Sequence, residues 1–159
     1  MAGLFYEDFE VGKVYKHSMS RTVTETDNLL FTSLCMNTAP LHLSEEYGKD
    51  HTIYGRRLVT SVFTLGLVMG MSVSELVEGT SLGNLSMGPI TFPNPVFIGD
   101  TITAETEIPD KRESKSRPTT GIVTFLHRGF KQDGSLVCEC HRVGMSMRRP
   151  AESGGPEAG

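Results

Sequence analysis

The chain has 159 residues, a formal net charge of -4 and no long basic run. This length fits one domain with one core, and the charge argues against nucleic acid as a partner. The three cysteines, Cys35, Cys138 and Cys140, are odd in number and lack the spacing of zinc ligands. We therefore expect reduced thiols, as in a cytoplasmic protein, and no disulfide framework.

The first half of the chain predicts one strand followed by helices. Residues 14–23 form the strand, and Thr24 is the expected N-cap of a helix that runs to about Cys35. Ser44 can cap a short helical turn. A longer helix over residues 61–77 is apolar on nearly every side, which indicates burial in the middle of the domain.

The uncharged stretch at residues 58–74 could also be a membrane span, because its length is at the lower limit for a spanning helix, which needs roughly 17–25 residues. Its many hydroxyl groups and glycines favour a buried helix in a soluble protein instead. The N-terminal residues are acidic and lack the basic and then apolar order of an export signal. The sequence therefore predicts a cytoplasmic protein with no membrane segment.

The second half of the chain predicts strands over residues 82–92, 100–108, 119–128 and 136–147, separated by turn signals such as Asp133-Gly134. One strand and helices thus precede four strands. This order predicts an α+β fold in which a curved antiparallel sheet wraps around the long central helix. Residues 150–159 have few apolar groups to bury, so we expect a disordered tail.

The segment Asn-Thr-Ala-Pro-Leu-His at residues 37–42 places an amide five residues before a histidine across a proline-fixed turn. It resembles the hydratase motif of MaoC-like hotdog proteins, with Asn37 where the family usually has Asp and Ala39 where it has Asn. Residues 91–101 resemble the strand, loop and Gly-Asp turn that follow the central helix of that family. The resemblance implies a single hotdog domain over residues 1–149.

A narrower resemblance concerns residues 111–118, 121–124 and 132–134, which are similar to the branch containing mesaconyl-CoA and itaconyl-CoA hydratases. It implies reversible addition of water to a short-chain enoyl-CoA, preferably one with a second carboxylate. The CoA thioester is then the substrate, and no separate cofactor is expected. The resemblance also implies a homodimer with the site at the subunit interface.

Hydration of an unsaturated thioester requires a group that moves a proton, a held water and a donor for the thioester oxygen. His42 is the candidate general acid and base, because an imidazole changes protonation near neutral pH. Asn37 can orient water but cannot deprotonate it, and its alternative role is to cap the turn. Glu25 and Asp27 could replace the missing carboxylate, although their position favours capping of a helix.

The start of the central helix is the candidate site for the thioester oxygen. The family commonly has His-Gly where this chain has Thr60-Ser61, and the resemblance implies a backbone N–H donor at Ser61 or Val62. Thr60 can contact substrate or cap the helix. Arg56 and Arg57 directly precede it and can bind a substrate carboxylate, or they can be solvated.

A second basic group lies in the predicted loop after residue 108. Its members could contact the phosphates of CoA or be solvated, and they are Lys111, Arg112, Lys115 and Arg117. The other histidines lack the arrangement of metal ligands, so no metal is expected. They are His17, His51, His127 and His141.

Two rival functions remain open from the sequence. A hotdog acyl-CoA thioesterase would hydrolyse the thioester, but it usually uses a carboxylate that Asn37 does not provide. A noncatalytic acyl-CoA binding protein is compatible with the same change from Asp to Asn, and the presence of His42 argues against it.

Overall fold

The computed structural model describes residues 3–150 and has the expected α+β hotdog architecture. Five antiparallel strands in the order β1-β3-β4-β5-β2 form one sheet, and the central helix α4 packs against it. The strands are β1 Val14–Thr22, β2 Ser81–Thr91, β3 Thr101–Glu113, β4 Thr120–Lys131 and β5 Leu136–Met147. The helices are α1 Glu25–Leu34, α2 Pro40–Leu43, α3 Glu45–His51 and α4 Ser61–Met71, and a 3-10 turn covers Tyr6–Asp8.

The helix α1 begins where the sequence predicts. The Thr24 hydroxyl accepts a hydrogen bond from the Asp27 N–H at 3.2 Å, and the Asp27 carboxylate accepts one from the Thr24 N–H at 2.8 Å. This reciprocal pair satisfies donors that the first turn of a helix leaves unpaired. Ser44 likewise accepts a bond from the Tyr47 N–H at the start of α3.

The central helix is shorter than the expected range of residues 61–77. It ends at Met71, and the chain continues as a wider π-helical turn over Val73–Val77. The Ser72 hydroxyl donates to the Met69 carbonyl oxygen at 2.7 Å, and this bond competes with the regular backbone pattern. The wider turn places Glu75 against β1, where it contacts His17 and Ser18.

The core consists of two clusters, one packed along the central helix and one around the π-helical turn that follows it. One contains Val59, Val68 and Ile102, and the other contains Leu76 and Phe125. A glycine on β4 permits close approach of the helix, because a Cβ atom at Gly129 would lie 2.3 Å from a methyl carbon of Val68.

The strand β3 continues past the predicted end at residue 108, so the expected loop at residues 109–113 is wrong. Its pairing with β4 shifts between Glu107 and Asp110, around a proline that has no N–H to donate, and then resumes. Lys111 lies within this extension and donates to the carbonyl oxygens of Tyr6, Glu7 and Phe9. Its role is therefore to hold the N-terminal segment.

No helix within residues 3–150 is long and apolar enough to cross a membrane. The predicted disordered tail lies outside the described residues, except for Pro150.

Candidate functional site

His42 is held in one orientation by the chain that precedes the central helix. It lies in α2, a short helix with Pro40 at its first position, and only 9% of the residue is exposed. Its Nδ1 lies 2.9 Å from the Leu58 carbonyl oxygen. Because a carbonyl oxygen only accepts, Nδ1 must carry the proton. In the neutral ring, Nε2 is then the atom with a free lone pair, which is what a general base requires.

A buried amide, which the sequence analysis did not single out, joins His42 to the start of the central helix. Asn28 of α1 is fully buried, and its Nδ2 donates to the His42 carbonyl oxygen at 2.9 Å. Its Oδ1 accepts from the Thr60 N–H at 3.1 Å. The one sign of this role in the sequence is that Asn28 is a polar residue in a helix with an apolar face.

Asn37 lies in the turn between α1 and α2. Its Oδ1 accepts a hydrogen bond from the Ala39 N–H at 3.1 Å, which is the turn-capping interaction weighed as its alternative role. Within residues 3–150 its Nδ2 makes no hydrogen bond to protein, so this group is free to donate to a water. The residue thus combines a structural contact with an available donor.

The start of α4 presents free backbone donors. Thr60 is the N-cap, and its side chain makes no capping bond. Within the described chain, the N–H groups of Ser61 and Val62 have no protein acceptor, as expected for the first turn of a helix. Ser61 lines a cavity of about 270 Å³. The positive end of the helix dipole faces this region and favours an anionic oxygen.

The cavity beside Ser61 is bounded by the segment that holds His42. Leu58, Val59 and Thr64 line it, together with Val96 of the loop after β2. His42 is not among the residues that line the cavity, but it contacts the carbonyl oxygen of Leu58, which does line it. One stretch of backbone, residues 58–61, therefore touches both the histidine and the cavity.

The two arginines before α4 have different environments. Arg57 donates to Glu45 at 3.0 Å and to Glu25 at 2.9 Å, and the hydrogen bond that Glu25 accepts contributes most to raising the pKa of the guanidinium. These two carboxylates already accept the guanidinium hydrogen bonds that a substrate carboxylate would need. This favours a structural role for Arg57. Arg56 lies over the Phe97 ring at 4.4 Å, and among residues 3–150 its one other contact of this kind is a hydrogen bond to the Ile98 carbonyl oxygen.

The three remaining basic candidates lie far from His42 in the same chain. They belong to the end of β3 and the following loop, and they are Arg112, Lys115 and Arg117. Ile102, at the other end of β3, belongs to the core cluster that contains Val59. The strand between Ile102 and Arg112 spans roughly 30 Å. A single chain thus does not bring these groups to the site.

A polar network, also missed from the sequence, crosses the whole sheet and is buried except at Asn84. His17, Thr106, His127, Arg142 and Asn84 come from β1, β3, β4, β5 and β2, and each contacts the next at 2.7–3.0 Å. The Arg142 Nε–H donates to His127 Nε2, so His127 Nδ1 carries a proton and donates to the Thr106 hydroxyl.

The far end of this network is anionic. His17 Nδ1 lies 2.8 Å from the Glu75 carboxylate. Hydrogen bonds from the Ser18 N–H, and then from His17, lower the pKa of Glu75 to about 2. Burial lowers the pKa of His127 to about 3, so this ring is neutral at pH 7. The network is a structural core, and its two histidines already have protein partners. Among residues 3–150, no three ligating side chains cluster as they would around a metal ion.

Comparison with known proteins agrees with this architecture. A mesaconyl-CoA hydratase from Cereibacter sphaeroides is 28% identical over 98% of this chain and 44% of its own length. An (R)-specific enoyl-CoA hydratase from Rhodospirillum rubrum is 30% identical over 74% of this chain and 81% of its own length. The solved structure of a putative MaoC domain protein dehydratase from Chloroflexus aurantiacus superposes with a TM-score of 0.86.

That solved structure is 28% identical and covers 98% of this chain but 43% of its own. The chain therefore spans a little under half the length of the mesaconyl-CoA hydratase and of the Chloroflexus protein. The family model described as MaoC like domain matches residues 8–128. This match covers most of the chain and includes both His42 and the start of α4, so the chain belongs to the MaoC-like domain family.

Proposed function

We propose that the protein reversibly adds water to a short-chain enoyl-CoA, which makes it a hydro-lyase. The orientation of His42 carries this proposal, because the bond from Nδ1 to Leu58 leaves the lone pair of Nε2 in the neutral ring available to accept a proton. The relatives named mesaconyl-CoA hydratase and (R)-specific enoyl-CoA hydratase support it. The CoA thioester is the substrate in this scheme, and no additional cofactor takes part.

In the proposed reaction His42 moves a single proton. Its Nε2 accepts a proton from water while the water oxygen bonds to the β-carbon of the enoyl group. The electron pair of the double bond moves toward the thioester, and the N–H of Ser61 or Val62 stabilises the oxygen. The α-carbon then takes the proton from His42. The free Nδ2 of Asn37 is the proposed donor to the water, and dehydration follows the same steps in reverse.

The proposed substrate carries a second carboxylate, as mesaconyl-CoA and itaconyl-CoA do. The name of the Cereibacter relative supports this choice at 28% identity. Arg56 is the preferred partner for that carboxylate, because the guanidinium of Arg57 is already paired with Glu25 and Glu45. An arginine can bind a carboxylate through two charge-assisted hydrogen bonds.

We also propose that two hotdog units associate, as a homodimer or within a larger assembly. The edge strand β2 supports this, because it exposes apolar side chains along its length, including Leu85, Met87 and Ile90. An unpaired edge of this kind is a template for pairing with another chain. Arg112, Lys115 and Arg117 could then approach CoA phosphates bound at the site of a second copy. The three cysteines are free thiols, which supports a cytoplasmic location.

A panel of enoyl-CoA and 3-hydroxyacyl-CoA thioesters tests the proposal. Water addition and release of free CoA are followed in the same reactions. Water addition with an intact thioester is the expected result. Release of CoA would instead indicate a thioesterase, and binding without turnover would indicate a noncatalytic acyl-CoA binding protein. Preference for crotonyl-CoA over mesaconyl-CoA and itaconyl-CoA would contradict only the dicarboxylate assignment.

A further inference from the structure

We infer that Asn28 is a positioning residue that fixes the proton-transfer group and the thioester-binding backbone relative to each other. This inference rests on the proposed function, because it assigns the two groups their roles. One side-chain amide contacts the backbone of His42 and the N–H of Thr60, which directly precedes Ser61. The ring of His42 also connects these two segments, through its bond to the Leu58 carbonyl oxygen.

The orientation of the Asn28 amide is fixed by its partners. The His42 carbonyl oxygen can only accept, so it faces Nδ2 at 2.9 Å. The Thr60 N–H can only donate, so it faces Oδ1 at 3.1 Å. An Asp, which lacks the amide donor when ionised, could satisfy only one of these groups, and an apolar residue could satisfy neither.

The two hydrogen bonds of this side chain both leave its own helix. They reach residues 14 and 32 positions along the chain, at zero exposure of Asn28 to solvent. Asparagine is a poor helix former, and an apolar side chain would serve the packing of α1 without needing partners. The position is thus used for a connection between segments and not for the stability of α1.

Two further bonds align the same segments. The Leu58 N–H donates to the Leu41 carbonyl oxygen at 3.1 Å, and His42 Nδ1 donates to the Leu58 carbonyl oxygen at 2.9 Å. Both end at Leu58, and the Val59 N–H donates to the Val96 carbonyl oxygen at 2.9 Å. The Asn28 amide adds the contact that ties Thr60, next to Ser61, directly to the backbone of His42. A misplacement of about 1 Å can cost on the order of 100-fold in rate.

Two substitutions and a matched control test this inference. Asn28→Leu removes both bonds at similar volume, and Asn28→Ala removes both but leaves room for water. Thr32→Val is the control, because Thr32 is equally buried one turn further along α1 and, within the described part of the chain, its hydroxyl bonds only to the backbone of Asn28 and Leu29. The values of kcat, KM and the melting temperature are measured for each folded protein.

Each Asn28 variant is expected to lose about 10- to 100-fold in kcat with KM changed less than threefold, because the substrate is still bound but the reacting groups are misplaced. Thr32→Val should keep kcat within twofold even where its melting temperature falls. If both Asn28 variants keep the wild-type kcat, or if the control loses as much kcat as they do, the inference is wrong.

A readout independent of turnover is the ring of His42 in nitrogen-15 NMR spectra. In the wild-type protein the bond to Leu58 predicts one tautomer with the proton on Nδ1. Asn28→Ala should produce a mixture of tautomers or a shifted ring resonance, whereas Thr32→Val should not. An unchanged ring signal in Asn28→Ala would overturn the inference. If the wild-type protein hydrates no thioester, the proposed function fails, and this ring signal alone then decides whether Asn28 positions His42.

Discussion

Replacing Thr106 with valine should destabilise the fold more than the same replacement at an exposed threonine. The Thr106 hydroxyl is fully buried and lies 2.8 Å from His17 Nε2 and 2.9 Å from His127 Nδ1. Valine has nearly the same shape but cannot hydrogen bond. The variant therefore leaves two ring nitrogens without partners inside the sheet.

The size of the effect follows from those two groups. A buried donor or acceptor without a partner costs about 1–3 kcal/mol. The additional buried methyl group of valine returns about 0.8 kcal/mol. The two groups together cost about 2–6 kcal/mol, so for Thr106→Val we expect a net loss of about 1–5 kcal/mol in the free energy of unfolding. For a chain of this size that corresponds to a melting temperature lower by about 2–20 °C.

Urea denaturation followed by far-ultraviolet circular dichroism measures this difference, since the chain contains no tryptophan to serve as a fluorescence probe. The matched control is Thr103→Val on the same strand, because Thr103 is exposed. It should stay within about 0.5 kcal/mol of the wild type. A Thr106→Val variant as stable as this control would refute the view that the network supports the sheet.

Four further outcomes follow from the same structure. His42→Ala should cut turnover by about 10²–10⁴-fold while the circular dichroism spectrum stays native, and a near-normal rate would remove His42 from the mechanism. Asn37→Ala should lower kcat more than the affinity for CoA, whereas Asn37→Asp should stay active, and steady-state kinetics of both variants check this. Arg56→Gln should reduce kcat/KM about 10- to 150-fold for mesaconyl-CoA but spare crotonyl-CoA, and equal losses would indicate damage to the helix entrance instead. Burial holds the pKa of His127 at about 3, below the ordinary 6.5, so the unfolded chain binds a proton that the folded one does not. Stability should therefore fall as the pH is lowered from about 6.5 toward 3, with a slope of up to about 1.4 kcal/mol per pH unit in denaturation experiments.

Local patterns predicted most of the secondary structure. Thr24 and Ser44 begin helices as expected because capping depends on neighbouring residues alone. The predicted end of α4 was wrong because apolar residues continue on both sides of Ser72. Only the bond from the Ser72 hydroxyl to the Met69 carbonyl oxygen reveals the change to a π-helical turn. The extension of β3 past Pro109 depends on pairing with β4, which lies outside any local window.

The residues of the candidate site also divide into those that a local pattern indicates and those whose partners are distant in the sequence. His42 could be proposed from the sequence because a motif surrounds it, and its role as a general base stays a prediction. Asn28 could not, because its partners are 14 and 32 residues away. The ion pairs of Arg57 were missed for the same reason, since Glu25 and Glu45 meet it only after α1 and α3 have packed.

Incorporation of deuterium from heavy water into the acyl chain tests the central claim, that His42 moves a proton between water and the α-carbon. Wild-type protein and His42→Ala are each incubated with an enoyl-CoA in deuterium oxide, and the products are examined by mass spectrometry. The wild-type product should carry one deuterium at the α-carbon with its thioester intact, and the variant should form it at least 100-fold more slowly. Equal deuterium incorporation by the two proteins, or release of free CoA without it, would contradict the account.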